Sequence, residues 1–515
     1  MGWTAQEMLQ GSDTPSVRVG MIRGAEEIRF EVLGPHRIRS SDGFHLEAER
    51  ASRYAVSRSE TSVPGSQHWV RFAITLPGER PTRPVPPGAE VRELVVGRRI
   101  QLPHLRVDNR ETWHLVGPFP DNASAEAFRR GQPRPGELTV LQLPSGQAEG
   151  WATLDGRRVQ LPITVLPENP QEPQILLRDV LIGIEFHWQH REDELLRGAL
   201  EIAAGPDGKL VAINELSAEA YLASVNSSEM TPDSPEELLK AQTVAGRSTL
   251  FATAGKHHFG EPFDLCADDH CQCYYGASRE RGRSWEAVRS TWGEVLVSDG
   301  RVCDARYSKI CGGIMEDYRF VWDDRRIPYL TSGVDGPEPL PVPANSEEAA
   351  RQFIRSSPDV YCNVDRYPLP ESLRERCHGL FRWQVRYSRS ELEELLATRV
   401  GVRVGRLLDL VPMERGDSGR IVHLQVVGTE GRVILGKELE IRRALSSSHL
   451  YSSCFYVEKE LDGHGFPEFF RLIGAGWGHG VGLCQVGATV MASRGFSYRQ
   501  ILAHYYRRAE ILRAY

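Results

Sequence analysis

No stretch of this 515-residue chain runs to about 18 consecutive apolar residues, so no membrane-spanning helix is expected. A cationic excess is missing too. The formal net charge of -7 gives no reason to expect nucleic acid or an anionic membrane as the main partner. There is no internal repeat, coiled coil or low-complexity tract, which excludes solenoids and arrays. The opening Met1-Gly-Trp-Thr-Ala-Gln-Glu-Met-Leu-Gln has neither a basic n-region nor an apolar h-region, so no secretory signal is expected there. Cysteine is sparse and odd in number. Of nine, Cys266, Cys271 and Cys273 cluster while six are scattered, which is not the even, dense spacing of a small disulfide scaffold. Buried thiols account for most of the scattered ones. Cys362 and Cys377 flank a proline-containing loop and could pair in an oxidising compartment.

What is present is the composition of a soluble globular protein, 40% hydrophobic and 25% charged, long enough for two to four domains. Residues 1–102 read as β-rich, with strands at Val17–Ile22, Ile28–Val32, Trp69–Leu76 and Val91–Val96 and a stiff proline-rich stretch at Pro81–Gly88. Residues 103–166 read as a small inserted unit, with a strand at Trp113–Val116 and a helix at Ala123–Arg130. Residues 180–515 form the third and largest part. It opens on a strand pair (Ile182–Trp188, Gly198–Ala203), continues through Leu210–Ile213 into two helices, and later carries helices at Ser346–Ile354 and Ser390–Leu396. A Trp383 strand, a hairpin of Ile421–Val427 with Val433–Leu439 and a last helix at Tyr498–Arg507 complete it. Helices set between strand runs argue for an α+β fold.

One carboxylate stands out. In Tyr221-Leu-Ala-Ser-Val-Asn-Ser-Ser-Glu229-Met-Thr-Pro, Ser217 can cap a helix with Glu219 in its first turn. Leu222 and Val225 lie on the buried stripe, and Glu229 sits one turn further along it, where one helix stops before the next begins. A carboxyl group on an apolar face is suited to stay protonated and donate. The other reading is a helix-end glutamate turned out to water.

A second constellation runs from His257 to Cys273 and puts three thiols and three imidazoles within seventeen residues. These are the ligands zinc prefers. Cys266 and Cys271 can reach one ion from a single loop, and His258 could close the site. His257, His270 and Cys273 remain further candidates, and a Cys266–Cys273 disulfide or free thiols the alternative. A third, Gly474-Ala-Gly476-Trp-Gly478-His479-Gly480-Val-Gly482-Leu-Cys-Gln485-Val-Gly487, is too irregular for a dinucleotide loop and lacks the βαβ unit that would follow one. It fits a loop that brings His479 and Gln485 to a cleft, with a tight structural turn as the competing account. A fourth, Tyr307-Ser-Lys-Ile-Cys311-Gly312-Gly313, is a polar strand end turning at a glycine pair.

Taken in order, these segments resemble the SpoIID/LytB family of bacterial cell-wall proteins. Leu195–Ile202, Leu239–Arg247, Asp264–Gly276, Ser418-Gly419-Arg420 and Ile501–Tyr506 also match. The resemblance covers about residues 180–512 and implies a peptidoglycan-active protein of the cell envelope. Sporulation members are lytic transglycosylases acting on glycan strands freed of stem peptides, and others are amidase enhancers. The family's acid/base glutamate falls on Glu229. Some members hold a structural zinc through one histidine and two cysteines, here His258, Cys266 and Cys271. The substrate-binding set would be Arg247, Tyr274, Gly312, Gly313, Gly478, His479, Gly480 and Gln485, with Tyr274 stacking on a sugar. Partners would be peptidoglycan glycan strands and a cell-wall amidase. The chain departs from the pattern at Cys484, where a serine is usual, at Gly246, where an alanine is usual, and in lacking a signal or anchor. Residues 103–166 lie outside the resemblance, apart from a faint likeness to SPOR-type glycan-binding modules.

The expected chemistry is a lytic cleavage with Glu229 as the single acid/base. Two other outcomes are a zinc hydrolase with an activated water and a non-enzymatic glycan-binding or amidase-activating protein.

Overall fold

A computed structural model describes residues 14–86, 90–184, 188–231, 234–343, 346–367, 369, 371–377 and 379–515. The opening ten residues and the end of the Pro81–Gly88 stretch lie outside them. Strands and helices mix as an α+β fold. The largest sheet has seven strands in the order 265–266, 16–25, 210–217, 199–204, 163–167, 36–40 and 45–48. A six-stranded sheet runs 157–160, 149–154, 52–62, 27–32, 175–182 and 190–196. Val19, Ile38, Ile202 and Ala212 of the first sheet and Ile28, Val56, Ile175 and Leu196 of the second share one core. Alternation of apolar and polar residues along Glu27–Val32 places Ile28, Phe30 and Val32 in that core.

The small sheet takes strands from both sides of residue 102. Its order is 139–144, 66–75, 111–119 and 90–96, and the helix Asn122–Arg130 packs on it. Ile163–Pro167 belongs instead to the seven-stranded sheet. Towards the C-terminus, two three-stranded sheets, 382–388/467–475/455–461 and 407–415/421–428/431–435, share a core around Trp383, Leu424 and Phe470.

Three stretches differ from the sequence reading. The proposed strand Ile182–Trp188, part of which lies outside the described residues, is the connection between strands Ile175–Ile182 and His190–Leu196. At Gly183 the chain turns with φ of 67°, where an added Cβ would stand 2.3 Å from the Trp188 ring. The true strand, His-Arg-Glu-Asp-Glu-Leu-Leu, was hidden by its charge. The hairpin arm ends at Leu435, and Glu438–Ala444 is helical. The last helix ends at Tyr505, and the chain then adds Glu510–Arg513 as a strand beside Glu294–Ser298.

All nine cysteines are thiols, so the Cys362–Cys377 and Cys266–Cys273 pairings are not formed. No helix among the described residues is long and apolar enough to cross a membrane.

Candidate active site

The helix Ala218–Glu229 starts where expected, with the Ser217 hydroxyl accepting from the Ala220 N–H. Its residues are buried as far as Asn226. Asn226 ties the end of this helix to the next one, Glu236–Thr253, by donating from Nδ2 to the Leu239 carbonyl at 2.8 Å and to Thr243 Oγ1 at 2.6 Å. A helix end fixed in this way gives the half-buried Glu229 a defined position.

Three donors from three distant segments meet its carboxylate. The Cys273 backbone N–H and the Tyr307 hydroxyl each donate to Oε1 at 3.3 Å, and Gln485 Nε2 donates to Oε2 at 3.4 Å. Tyr307 and Gln485 arrive together because Tyr307-Ser308 pairs in parallel with Leu483-Cys484. That pairing needs glycine: at Gly482, with φ of 71°, a Cβ would lie 2.0 Å from the Arg306 carbonyl oxygen. Gly480 is confined likewise, by the Arg420 guanidinium 2.4 Å from where its Cβ would be.

The metal-ligand candidates also converge. One ligand atom each from His258, Cys266, His270 and Cys271 lie within 4.8 Å of one another. Cys271 Sγ is 3.4 Å from His258 Nε2 and 3.8 Å from His270 Nδ1. Thiolate and imidazole on one tetrahedral zinc stand about 3.5 Å apart, given bonds of about 2.3 and 2.0 Å. The donor set therefore fits such an ion. The Cys271 thiol, then His258 and His270, hold Cys266 far below the usual thiol range, and Cys271 is pushed up in turn. His257 lies outside that group of four, though its Nδ1 is 3.9 Å from Cys271 Sγ, and its Nε2 is 3.2 Å from Arg306. Cys273 enters the site through its backbone.

Other candidates take different places. Tyr274 cannot stack on a sugar: it is buried, lies against Tyr221 with ring centroids 5.3 Å apart, and donates its hydroxyl to Asn214 Oδ1 at 2.6 Å. Arg247 is no substrate ligand either. It is wholly buried, paired with Glu219 at 2.6 and 2.9 Å, and donates to the Glu294 carbonyl. The carbonyls of Gly312 and Gly478 accept from Arg382 and Arg420, and that of Gly480 from the Glu316 N–H. Gly313 turns with φ of 115°. His479 rests its ring on Trp322, with centroids 4.9 Å apart. Burial, then Arg306 and Arg420, push its pKa down to about 3, so the imidazole is neutral. Its Nδ1 accepts from the Val481 N–H.

His270, one of the further ligand candidates, joins the metal-ligand group. Tyr307, which opens the fourth segment, reaches Glu229 although its motif assigns it no role. Its pairing with Leu483 is a long-range register that no local pattern carries. Asp269, in the same loop, is pushed up to about 7 by surrounding protein and then by Asp268 and Glu229.

Residues 206–297, which include Glu229 and all four metal-ligand candidates, match the family described as Stage II sporulation protein. Residues 316–482 match a domain of unknown function. Similar proteins include an uncharacterized protein of Brachyspira hyodysenteriae, 27% identical over 303 residues, or 59% of this chain and 68% of the relative. The amidase enhancer of Bacillus subtilis is 25% identical over 299 residues, 55% of this chain and 39% of that protein. Stage II sporulation protein D of Bacillus amyloliquefaciens is 22% identical over 317 residues, 59% of this chain and 76% of that protein.

Proposed function

We propose that this protein acts on peptidoglycan glycan strands in the cell envelope as a lytic transglycosylase, with Glu229 as the single acid/base. The observation that carries the reading is one half-buried carboxylate gripped by Cys273, Tyr307 and Gln485. In the reaction Glu229 donates its proton to the glycosidic oxygen as the C1–O bond breaks. The 6-hydroxyl oxygen of the same muramic sugar bonds to C1 and gives its proton back to Glu229. A 1,6-anhydro end results and no water is consumed. Ring closure within one bound sugar has a high effective molarity and needs no enzyme nucleophile. Hydrolysis would instead call for a second carboxylate across the bond. Gln485 and Tyr307 orient Glu229, and neutral His479 with the glycine segment 476–482 would border the sugar.

Zinc suits His258, Cys266, His270 and Cys271, where it would cross-link the loop that presents the Cys273 N–H and complete its own shell from protein ligands. This favours a structural ion over an activated water. A second reading, a glycan-binding activator of a cell-wall amidase, draws on the printed name of the B. subtilis relative.

Mass spectrometry of peptide-free glycan strands incubated with the protein decides between them. Anhydro-muramic ends that fall by at least about 100-fold in Glu229→Gln, with strand binding retained, support lytic cleavage. Reducing ends formed with uptake of water would overturn it in favour of a hydrolase. Bound strands without product would favour the amidase activator.

A further inference from the structure

Away from the Glu229 carboxylate, four buried groups from separate segments meet. Cys311, Asp335, Cys362 and Cys484 are each at most 2% exposed. One ligand atom from each lies within 4.8 Å of the others. Cys311 Sγ is 3.6 Å from Cys362 Sγ and 3.4 Å from Asp335 Oδ2. On a tetrahedral zinc, two thiolates stand about 3.8 Å apart, and a thiolate and a carboxylate oxygen about 3.5 Å. The observed separations sit at those values. A disulfide would require Cys311 and Cys362 to close to about 2.05 Å.

The surroundings suit bound thiolates. The Gly313 N–H points to Cys311 Sγ at 3.4 Å, and the N–H groups of Cys311 and Gly487 point to Cys484 Sγ at 3.3 and 3.5 Å. Cys484 also caps the helix Gln485–Ser493, so its sulfur lies at the positive end of that helix. Tyr505 donates its hydroxyl to Asp335 Oδ1 at 2.7 Å. Among the described residues, the one basic group in ion-pair range of this carboxylate is His504, at 3.9 Å. A fully buried carboxylate beside three thiols, without a lysine or arginine, is an expensive arrangement that a divalent cation resolves.

We propose that Cys311, Asp335, Cys362 and Cys484 form a second metal centre, for a thiophilic divalent ion such as zinc, separate from the His258–Cys271 loop. Its burial leaves no open coordination position, so it is a structural cross-link. It ties segment 307–313 to the helix that begins at Gln485, and to the loops holding Asp335 and Cys362. The inference does not depend on the glycan reading.

The test is zinc per chain, by elemental mass spectrometry, in the full-length protein purified under reducing conditions with zinc present. Wild type should hold two ions. The Cys266→Ala/Cys271→Ala variant should keep one, with about three sulfur neighbours by X-ray absorption. Adding Cys362→Ala to that variant should remove it. Where these variants fail to fold, wild type alone decides: one ion with mixed imidazole and thiolate ligation, or a Cys311–Cys362 disulfide in peptide mapping, overturns the proposal. Zinc content indifferent to Cys362→Ala does the same.

Discussion

The Cys273 N–H that donates to Glu229 at 3.3 Å lies two residues beyond Cys271, whose sulfur is 3.4 Å from His258. The thiol–imidazole loop and one wall of the carboxylate site are thus the same piece of backbone. Loosening one end of a short loop moves the other, because the residues between have little freedom to absorb the shift.

Metal removal should therefore lower kcat through Glu229. Cys271→Ser, or chelation that leaves the protein folded, is expected to reduce kcat by about 10- to 100-fold with KM little changed, the usual scale for outer-shell support of a site. Replacing zinc with cobalt or cadmium should leave kcat within about threefold, since the proposed mechanism uses no metal-bound group. A kcat that tracks the acidity of metal-bound water across the three ions would instead indicate a hydrolase.

Tyr307 and Gln485 each supply one donor to Glu229, and in the proposed mechanism they act by orienting it. Tyr307→Phe and Gln485→Leu should each lower kcat by roughly tenfold, less than loss of the acid itself. The double variant should fall short of the product of the two, because both act through one carboxylate. Full additivity in steady-state kinetics would show that they act independently.

Arg247 serves the core. It bonds to both oxygens of Glu219, which also accepts the Tyr515 hydroxyl at 2.5 Å, and all three residues are buried. Arg247→Ala strands the Glu219 charge and should destabilise the protein by about 3–5 kcal/mol, measured by urea unfolding. Arg247→Lys keeps the charge but loses the two-point geometry, so a smaller loss is expected. Glycan affinity of the folded fraction should not change in either variant, which a direct substrate contact could not allow.

How far the sequence speaks for this site depends on the range of the interaction. Ser217, Leu222, Val225 and Glu229 follow helical spacing, and the structure agrees with all four, since 3.6-residue periodicity and capping are local. The grouping within the His257–Cys273 loop is legible because its candidate ligands lie near one another in sequence. Tyr274 and Arg247 were misplaced because a motif match gives position along the chain and not burial. Tyr274 faces Tyr221 across the packed helix, and Arg247 points at Glu219, 28 residues away. Tyr307 went unassigned because only its register against Leu483 brings it to Glu229. The four-residue convergence on Cys311 was invisible for the same reason, its members being spread over more than 170 residues.

Glu194 should give the protein a specific pH signature. The residue is 1% exposed, Oε1 has no hydrogen-bond partner among the described residues, and Oε2 accepts from Ser278 Oγ at 3.3 Å. Burial first, then the neighbouring Glu192, raises its pKa from the ordinary 4.5 to about 8. The folded state thus keeps a proton that the unfolded chain gives up at lower pH. Between about 4.5 and 8 the folded form binds more protons, so stability falls as pH rises through that window and levels off above it. Glu194→Gln removes the proton exchange while keeping the shape. The difference in urea midpoint between variant and wild type should grow in favour of the variant from pH 4.5 to 8 and then stay constant. A difference that is flat with pH would mean that Glu194 titrates alike in both states, as a carboxylate reached by water would.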